Sequence, residues 1–506
     1  MKKYICIHGH FYQPPRENPW TGVIEEQESA APDHDWNVRI TSECYEPNAQ
    51  TQILNNHKQT IHTVNNYSQI SFNFGPTLLL WMEKSFPETY NAILEADQRS
   101  MKRFSGHGAA IAQAYNHMIM PLANDRDKQS QVIWGIKDFE YRFKRKPEGM
   151  WLPETAVDTA TLEVLAEHGI TFTILAPNQI ESVAQIGSNE WEDVADGAID
   201  TQLSYLCRLP SGRDINVFFY NGHISNEVAF GEMLKNGVDF AKALIKQFPR
   251  PLGRKRLVHV ANDGETYGHH HTFGNMALAY MLYHVETNCL ARVTIYSEFL
   301  ANNPPEYEVK IKEDTSWSCF HGIERWKANC GCHLDNEKEW NQEWRKYLRE
   351  ALDWLRDQLA PVYEQSMSAY YDDPWQMRNN YINVLLDPSE ENFTNIIWSA
   401  ARQELSTEEK ARIKSLLEMQ HNAMLMYTSC GWFFDDISGL ESTQILRYAA
   451  RAMQLAKKVG ESDLEEEFVN RLASAESNIP EMKNGRTIYD RFVKSTMTAA
   501  EQKNNV

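Results

Sequence analysis

Cysteines are few in this sequence, and long apolar runs are missing. Eight cysteines are scattered through 506 residues rather than arranged as a framework, which favours a reducing cytoplasm over an oxidising compartment. No stretch approaches the roughly 20 apolar residues that span a bilayer. The apolar run at residues 4–7 is too short for the core of a signal peptide. The sequence therefore predicts a soluble, cytoplasmic protein without a membrane partner.

Positive charge is scarce as well. The 50 Lys and Arg residues are outnumbered by 69 Asp and Glu residues, and the formal charge is -19. No dense tract of Lys or Arg occurs, and phosphate binding requires positive charge. The composition therefore argues against a nucleic-acid partner and suits a neutral ligand better.

The first 300 residues alternate strand-like and helix-like segments. The helix-like segments include residues 159–168, with Asp158 as the N-cap and Gly169 as the residue that ends the helix. This alternation is typical of parallel strands joined by crossover helices. The strand-like segments are short and rich in β-branched or aromatic residues; they are residues 4–7, 70–74, 149–152, 171–175, 215–220 and 256–261.

After about Pro305 the composition changes. Residues 341–371 and 408–426 are long charged and apolar segments with few Gly or Pro, and an apolar pattern at helical spacing covers residues 445–456. These patterns predict a helical C-terminal region. Because a chain of this length exceeds one ordinary core, we expect two domains, at residues 1–305 and 306–506.

Two acids follow strand-like segments that lie far apart in the sequence. Glu154 ends Gly-Met-Trp-Leu-Pro-Glu, and Asp263 lies within Asn-Asp-Gly-Glu-Thr-Tyr-Gly. In a barrel of parallel strands, the C-terminal ends of the strands converge on one face, so these acids can face each other. Two facing carboxylates are what the cleavage of a glycosidic bond requires.

Polar and aromatic residues follow other predicted strands and fill a later loop. His-Gly-His-Phe-Tyr-Gln-Pro-Pro occupies residues 8–15, Tyr-Asn-His occupies residues 115–117, and Asn-Gly-His occupies residues 221–223. Sugar hydroxyls need imidazole or amide partners, and the C–H face of a sugar ring favours an aromatic platform. The mixture therefore suits a carbohydrate ligand.

Five segments resemble the sequence blocks of glycoside hydrolase family 57. The first is similar to the opening His-x-His-Gln-Pro block of that family, with two additional residues before Gln13. The last is a looser match, because Cys430 and Gly431 replace the usual polar pair. In chain order, the segments are residues 8–14, 115–122, 151–154, 262–268 and 429–435.

The resemblance implies a (β/α)7 barrel followed by an α-helical C-terminal domain. It also implies a retaining mechanism without a cofactor and α-glucan substrates such as starch, glycogen or maltooligosaccharides, and it leaves hydrolysis and transfer open. Glu154 takes the role of the nucleophile, and Asp263 takes that of the general acid/base. Substrate contacts are expected from His8, His10, Gln13, His117, Trp151, Glu265, Trp317, His321, Trp432 and Asp435.

A retaining enzyme needs two carboxyl groups, about 5 to 5.5 Å apart, in opposite protonation states. We expect the pKa of Asp263 to be raised by the negative charge of Glu154 and of Glu265. Glu154 is expected to stay ionised through hydrogen bonds from neighbours such as His10.

Two other functions are compatible with the residues. Three consecutive histidines at residues 269–271, taken with His8, His10 and Asp263, offer the ligands of a metal-dependent deacetylase or mannosidase. Consecutive histidines point in different directions, however, and no catalytic metal is expected. The second alternative is a catalytically idle glycan-binding protein, but such relics commonly lose one carboxylate, and both are present.

A cysteine-rich segment follows the predicted barrel. Cys319, Cys330, Cys332 and His333 offer four zinc-type ligands at irregular spacing. The Cys-x-Cys spacing is tighter than that of a usual zinc knuckle, and packed thiols around a tight loop are the other interpretation.

Overall fold

The computed structural model describes residues 2–55, 57–194, 197–335, 338–460 and 463–498. The chain divides into two compact units, each assembled from three segments. The first unit comprises Met1–Gln13, Glu26–Ala114 and Phe139–Trp317. The second unit comprises Pro14–Glu25, Tyr115–Asp138 and Ser318–Val506.

Strands and helices alternate in the first unit, and helices dominate the second. The strands are β1 (Lys3–Phe11), β2 (Thr51–Leu54), β3 (Thr60–Val64), β4 (Ser71–Phe74), β5 (Ala112–Gln113), β6 (Met150–Trp151), β7 (Phe172–Leu175), β8 (Ile180–Gln185), β9 (Glu192–Asp193), β10 (Ser204–Arg208), β11 (Asp214–Phe219), β12 (Arg256–Asp263), β13 (Arg292–Val293) and β14 (Tyr307–Ile311). The α-helices are α1 (Trp36–Ile40), α2 (Glu46–Ala49), α3 (Pro76–Ser85), α4 (Pro87–Arg103), α5 (Asp125–Phe143), α6 (Thr159–Glu167), α7 (Gly222–Phe230), α8 (Gly237–Lys246), α9 (Gly274–Thr287), α10 (Tyr296–Asn302), α11 (Trp344–Met367), α12 (Pro374–Leu386), α13 (Glu390–Ile396), α14 (Thr407–Leu425), α15 (Cys430–Phe433), α16 (Leu440–Lys458), α17 (Glu465–Leu472) and α18 (Gly485–Ile488).

Seven parallel strands form the frame of the first unit. β1 pairs with β12 on one side and with β4 on the other, β5 pairs with β6, and β7 pairs with β11. Single parallel bridges join Phe72 of β4 to Ala110 and Gly149 to Phe172 of β7. The path β12-β1-β4-β5-β6-β7-β11, with β13 also parallel to β1, confirms the predicted β/α fold.

Six of these seven strands coincide with the strand-like segments of the sequence. Every residue of β1 except Lys3 is buried, as expected for a parallel strand covered on both faces. The seventh, β5, is two residues long and is too short to produce a periodic signal. The predicted helix at residues 159–168 is confirmed as α6, where the Asp158 side chain accepts a hydrogen bond from the backbone N–H of Thr161 and Gly169 follows with φ 82°.

The second unit confirms the helical C-terminal region. The three predicted helical stretches coincide with α11, α14 and α16. The segment Pro14–Glu25 is bound to α16, because the Trp20 indole donates to Oε1 of Gln454 at 2.8 Å and the Gln444 amide donates to the carbonyl oxygen of Glu17 at 2.8 Å. Across the described parts of both units, every helix is too short or too polar to traverse a lipid bilayer.

Candidate active site

The C-terminal ends of β1 and β12 lie side by side. Their parallel register aligns His10 with Asp263. Gly264 follows directly, and a Cβ atom at this position would lie 2.2 Å from Cδ1 of Phe11. Glycine is therefore required directly after β12. Gly264 is the single residue between Asp263 and Glu265.

Asn73, in β4, connects the two histidines of β1. Its amide donates to Nδ1 of His10 and to Oε1 of Gln113, both at 2.8 Å, and its Oδ1 lies 3.1 Å from Nε2 of His8. These contacts fix the orientation of the Asn73 amide. Nε2 of His8 therefore donates to Oδ1 of Asn73. Nδ1 of His10 accepts from the amide, so the ring proton of His10 lies on Nε2. The hydroxyl of Ser71 lies 3.0 Å from Nδ1 of His8. No sequence signal distinguishes Ser71, Asn73 or Gln113 from other polar residues in short strands.

His8 and Trp151 are fully buried, with 0% of each residue exposed. Their rings stack 4.9 Å apart, and Trp151 also stacks on His10 at 5.0 Å. Burial lowers the pKa of His8 to about 3, and the nearby His10 ring acts in the same direction, so His8 is neutral. Both residues were expected to contact substrate. In this structure they pack against each other and against His10, and the expected substrate contact stays a prediction.

Glu154 follows β6 in a left-handed backbone conformation, with φ 57° and ψ 20°. Such a conformation is uncommon for a residue with a side chain and is found preferentially at functional sites. Trp317 stabilises it: the backbone N–H of Trp317 donates to the Glu154 carbonyl oxygen at 3.0 Å, and the indole N–H donates to Oε2 at 3.0 Å. The half-buried Trp317 is therefore a hydrogen-bond donor to Glu154, a role that the sequence did not indicate.

Asp263 ends β12 and lies near two other acids. Its side chain is accessible to solvent, yet the surrounding protein atoms desolvate its charged form. This desolvation raises the pKa of Asp263 well above its usual range, and the negative charges of Glu265 and Glu154 raise it further. The pKa shift has the expected direction and favours the protonated acid. The charge of Asp263 in turn contributes, after burial, to the raised pKa of Tyr220.

Glu265 is 5% exposed. Its Oε1 accepts hydrogen bonds from the backbone N–H of Tyr12 at 3.0 Å and from the hydroxyl of Tyr45 at 2.5 Å. Burial raises the pKa of Glu265 to about 7, although these hydrogen bonds oppose the increase. Glu265 thereby fixes the backbone immediately before Gln13, which is half-buried.

Four of the expected substrate contacts lie in the second unit: His117, His321, Trp432 and Asp435. His117 is buried, its Nδ1 lies 2.6 Å from the hydroxyl of Ser429, and burial lowers its pKa to about 3. The Asp435 carboxylate accepts hydrogen bonds from the backbone N–H groups of residues 334 and 335 at 2.8 and 2.9 Å. Both side chains therefore hold neighbouring segments of this unit together.

Trp432 has none of its surface exposed. Its indole N–H donates to the carbonyl oxygen of Arg345 at 3.2 Å, and the Arg349 guanidinium lies 4.1 Å from the centre of its ring. A ring covered in this way presents no face to a sugar in this structure. The structure therefore places Trp432 in the core of the helical unit, and the expected substrate contact stays a prediction.

Trp432→Ala is expected to lower the free energy of unfolding by about 3 to 5 kcal/mol, because it leaves a large cavity in a packed core. Urea denaturation measures this change, and KM for an oligosaccharide should stay the same. The matched control is Trp191→Ala, since Trp191 is 39% exposed and its loss should cost about 1 kcal/mol or less. An increase in KM without a loss of stability would return Trp432 to the substrate site.

His321 lies among three cysteines of the second unit. Its Nδ1 is 3.7 Å from Sγ of Cys332, and Sγ of Cys319 lies 3.9 and 3.8 Å from the sulfur atoms of Cys330 and Cys332. The potential ligand atoms of these four residues all lie within 4.8 Å of one another. His333, the expected fourth member, donates instead to a backbone carbonyl oxygen at 3.0 Å.

The histidines considered as catalytic metal ligands have protein partners. Both ring nitrogens of His8 are hydrogen-bonded within the network around Asn73. His269 pairs with the carboxylate of Glu43, and Nε2 of His271 lies 2.9 Å from a backbone carbonyl oxygen. These contacts argue against a catalytic metal bound by these side chains.

Comparison of the fold with solved structures gives amylases and branching enzymes. The chain superposes on a maltose-forming amylase from Pyrococcus sp. ST04 with a TM-score of 0.72 and 15% identity, covering 99% of this chain and 94% of that protein. A branching enzyme from Thermococcus kodakaraensis gives a TM-score of 0.56 and 14% identity, over 98% and 96% of the two chains. At these identities the likeness concerns the fold.

Comparison of the sequence agrees with the fold. Alpha-amylase 1 of Dictyoglomus thermophilum is 29% identical over 106 residues, which make up 21% of this chain and 15% of that protein. A model described as a domain of unknown function, DUF3536, matches residues 340–504. The model of glycosyl hydrolase family 57 matches residues 5–312, more than half of the chain. The chain therefore belongs to glycosyl hydrolase family 57.

Proposed function

We propose that this protein is a retaining enzyme that acts on α-glucans, with Glu154 as the nucleophile and Asp263 as the general acid/base. The observation that carries the proposal is the environment of Asp263 at the end of β12, beside His10 of β1, where desolvation and the charges of Glu265 and Glu154 raise its pKa. A retaining mechanism needs one protonated and one ionised carboxyl group. Family membership and the amylase and branching enzyme that share the fold support an α-glucan as the substrate.

In the first step, the Glu154 carboxylate attacks the anomeric carbon while Asp263 donates its proton to the glycosidic oxygen. The C–O bond to the leaving sugar breaks, and a glycosyl ester forms on Glu154. The indole of Trp317 binds Oε2 of Glu154, which fixes the direction of attack. In the second step, ionised Asp263 takes a proton from water or from a sugar hydroxyl. The resulting oxygen nucleophile then displaces Glu154 and restores the original anomeric configuration.

Substrate recognition on this proposal involves His10, Gln13 and Trp317. His10 is 3% exposed and lies between Trp151 and Trp317, with ring centres 5.0 and 6.5 Å from theirs, so we place it at the inner wall of the sugar site. Trp317 is half-buried and stands edge-to-face on Trp151 at 5.1 Å, so its ring combines a fixed position with some accessible surface. An aromatic ring of this kind favours the C–H face of a sugar.

Incubation with maltoheptaose tests the proposed activity. Hydrolysis yields shorter oligosaccharides, whereas transfer yields a ladder of chains above and below the starting length. Either pattern supports an α-glucan-active enzyme and identifies the acceptor. Unchanged maltoheptaose, together with unchanged starch and glycogen, would contradict the proposal and favour the idle glycan-binding alternative.

The proposed protonation states predict a pH optimum with two limbs. Activity should fall at low pH when Glu154 gains a proton and at high pH when Asp263 loses its proton. Because Glu265 contributes to the raised pKa of Asp263, Glu265→Gln should move the alkaline limb of the kcat/KM profile to lower pH. The amide oxygen of Gln can still accept the hydrogen bond from Tyr12.

The matched control for this profile is Glu298→Gln. Glu298 is a buried acid of the same unit, with 2% exposure, and it is not among the charges that act on Asp263. Its replacement should leave the alkaline limb in place. An alkaline limb that stays unchanged in Glu265→Gln would show that the limb does not report Asp263.

The domain division and the location extend the proposal. We assign the catalytic role to the first unit and the helical domain to the second, so the expected division at residues 1–305 and 306–506 is modified by Pro14–Glu25 and Tyr115–Asp138, which group with the second unit. None of the eight cysteines, all of which lie in the described residues, forms a disulfide, and proteins of reducing compartments rarely contain disulfides, which supports a cytoplasmic location.

A further inference from the structure

Three thiols and one imidazole converge at one point of the second unit. In a tetrahedral site with Zn–S bonds of about 2.3 Å and a Zn–N bond of about 2.05 Å, the sulfur atoms stand about 3.8 Å apart and sulfur and nitrogen about 3.6 Å apart. The observed separations are 3.9 and 3.8 Å between Cys319 and the other two sulfur atoms, and 3.7 Å between Cys332 and His321. A disulfide would require about 2.05 Å between two sulfur atoms.

A glycine allows the two nearest cysteines to converge. Gly331, between Cys330 and Cys332, has φ 79° and no atom near the position of a Cβ. Residues with side chains rarely adopt this conformation, and glycine adopts it without strain. The turn brings both sulfur atoms to Cys319 despite the short Cys-x-Cys spacing.

Two buried arginines lie beside this cluster. Arg325 and Arg345 are 5% and 0% exposed. Arg345 donates to the carbonyl oxygen of Cys332 at 2.8 Å, and Arg325 donates to the carbonyl oxygen of Ser318 at 3.2 Å. Among the described side chains, no carboxylate lies within ion-pair distance of either guanidinium, and Asp435 acts on Arg345 only from farther away, although buried charges normally have a close counter-ion. A zinc ion bound by three thiolates and one neutral imidazole carries one net negative charge, which would compensate this positive environment.

We propose that Cys319, His321, Cys330 and Cys332 bind one structural zinc ion. All four coordination positions are filled by the protein, which is the arrangement of a structural rather than a catalytic zinc site. The metal cross-links residues 319–332, a segment whose regular structure is limited to one short helix, Glu324–Trp326. The proposal concerns the second unit alone and does not depend on the proposed catalytic activity.

Zinc content of the purified full-length protein tests the site. About one equivalent of zinc should remain after dialysis against a weak chelator. The decisive comparison is between His321→Ala and His333→Ala. Both histidines are close in sequence to the cysteines, but only the His321 ring lies at the cluster. Loss of a residue that only supports a zinc ligand reduces zinc affinity by roughly 10- to 100-fold. Because His321 is proposed as a ligand itself, the zinc affinity of His321→Ala should fall at least as far. His333→Ala should retain its zinc, and equal retention by both variants would overturn the assignment of His321.

Cobalt substitution tests the site in the wild-type protein, so the result does not depend on whether a variant folds. Wild-type protein that is stripped of metal and loaded with Co²⁺ should show the visible bands of tetrahedral cobalt and thiolate-to-cobalt charge transfer. Cys330→Ser should weaken the charge transfer, and Cys289→Ser, at an exposed thiol outside the cluster, should not. A wild-type protein with no bound zinc and no cobalt bands overturns the proposal. Mass spectrometry would then distinguish a Cys319 disulfide from free thiols.

Discussion

Glu154→Gln is expected to reduce kcat on maltoheptaose by roughly 10⁴-fold or more, the scale of losing a covalent nucleophile. The amide keeps the length of the side chain and can still accept the hydrogen bond from Trp317, so the fold should be retained. An amide oxygen, however, does not attack the anomeric carbon. Steady-state kinetics and thermal denaturation of the same preparation measure both effects.

Glu148→Gln is the matched control. It makes the same substitution at the opposite end of β6, since Glu148 precedes the strand and Glu154 follows it. This control should keep wild-type kcat. Glu154→Ala with added azide extends the test: azide should occupy the space of the missing carboxylate, restore part of the activity and give the glycosyl azide of inverted configuration. Wild-type activity in Glu154→Gln would remove Glu154 from the mechanism.

Asp263→Asn is expected to lower kcat/KM on maltooligosaccharides by roughly 10²- to 10⁴-fold, the usual contribution of a general acid. On an aryl α-glucoside with a good leaving group the loss in kcat/KM should be much smaller, since the departing phenolate needs no proton. Comparison of the two substrates with one variant separates acid catalysis from misfolding. Equal losses on both substrates would argue against Asp263 as the general acid.

The strands that carry the two acids could be predicted from the sequence, because short apolar runs that end at turn residues are a local signal. The direction of the Asp263 pKa shift was also predicted, from its acidic neighbours, although desolvation by the surrounding protein is the larger cause. The network around Asn73 could not be predicted, because it depends on the register of β1 and β4. β5 was missed because two residues carry no periodicity.

The helical unit shows where local patterns fail. An aromatic residue such as Trp432 has the same sequence signature in a core as on a sugar platform, and the packing of Arg349 against its ring decides between them. The choice between His321 and His333 likewise depends on the path of a loop, which spacing does not determine. The grouping of Pro14–Glu25 and Tyr115–Asp138 with the C-terminal helices depends on contacts between residues that are distant in sequence.

Trapping of the glycosyl-enzyme tests the central claim most directly. A 5-fluoro-α-glucosyl fluoride should glycosylate the protein and then hydrolyse slowly, because the fluorine destabilises the positive charge that develops during cleavage. Proteolysis and mass spectrometry of the trapped protein should find one added sugar on the peptide that contains Glu154, and Glu154→Gln should not be labelled. Labelling of a different residue, or products of inverted anomeric configuration with no adduct, would contradict a retaining mechanism through Glu154.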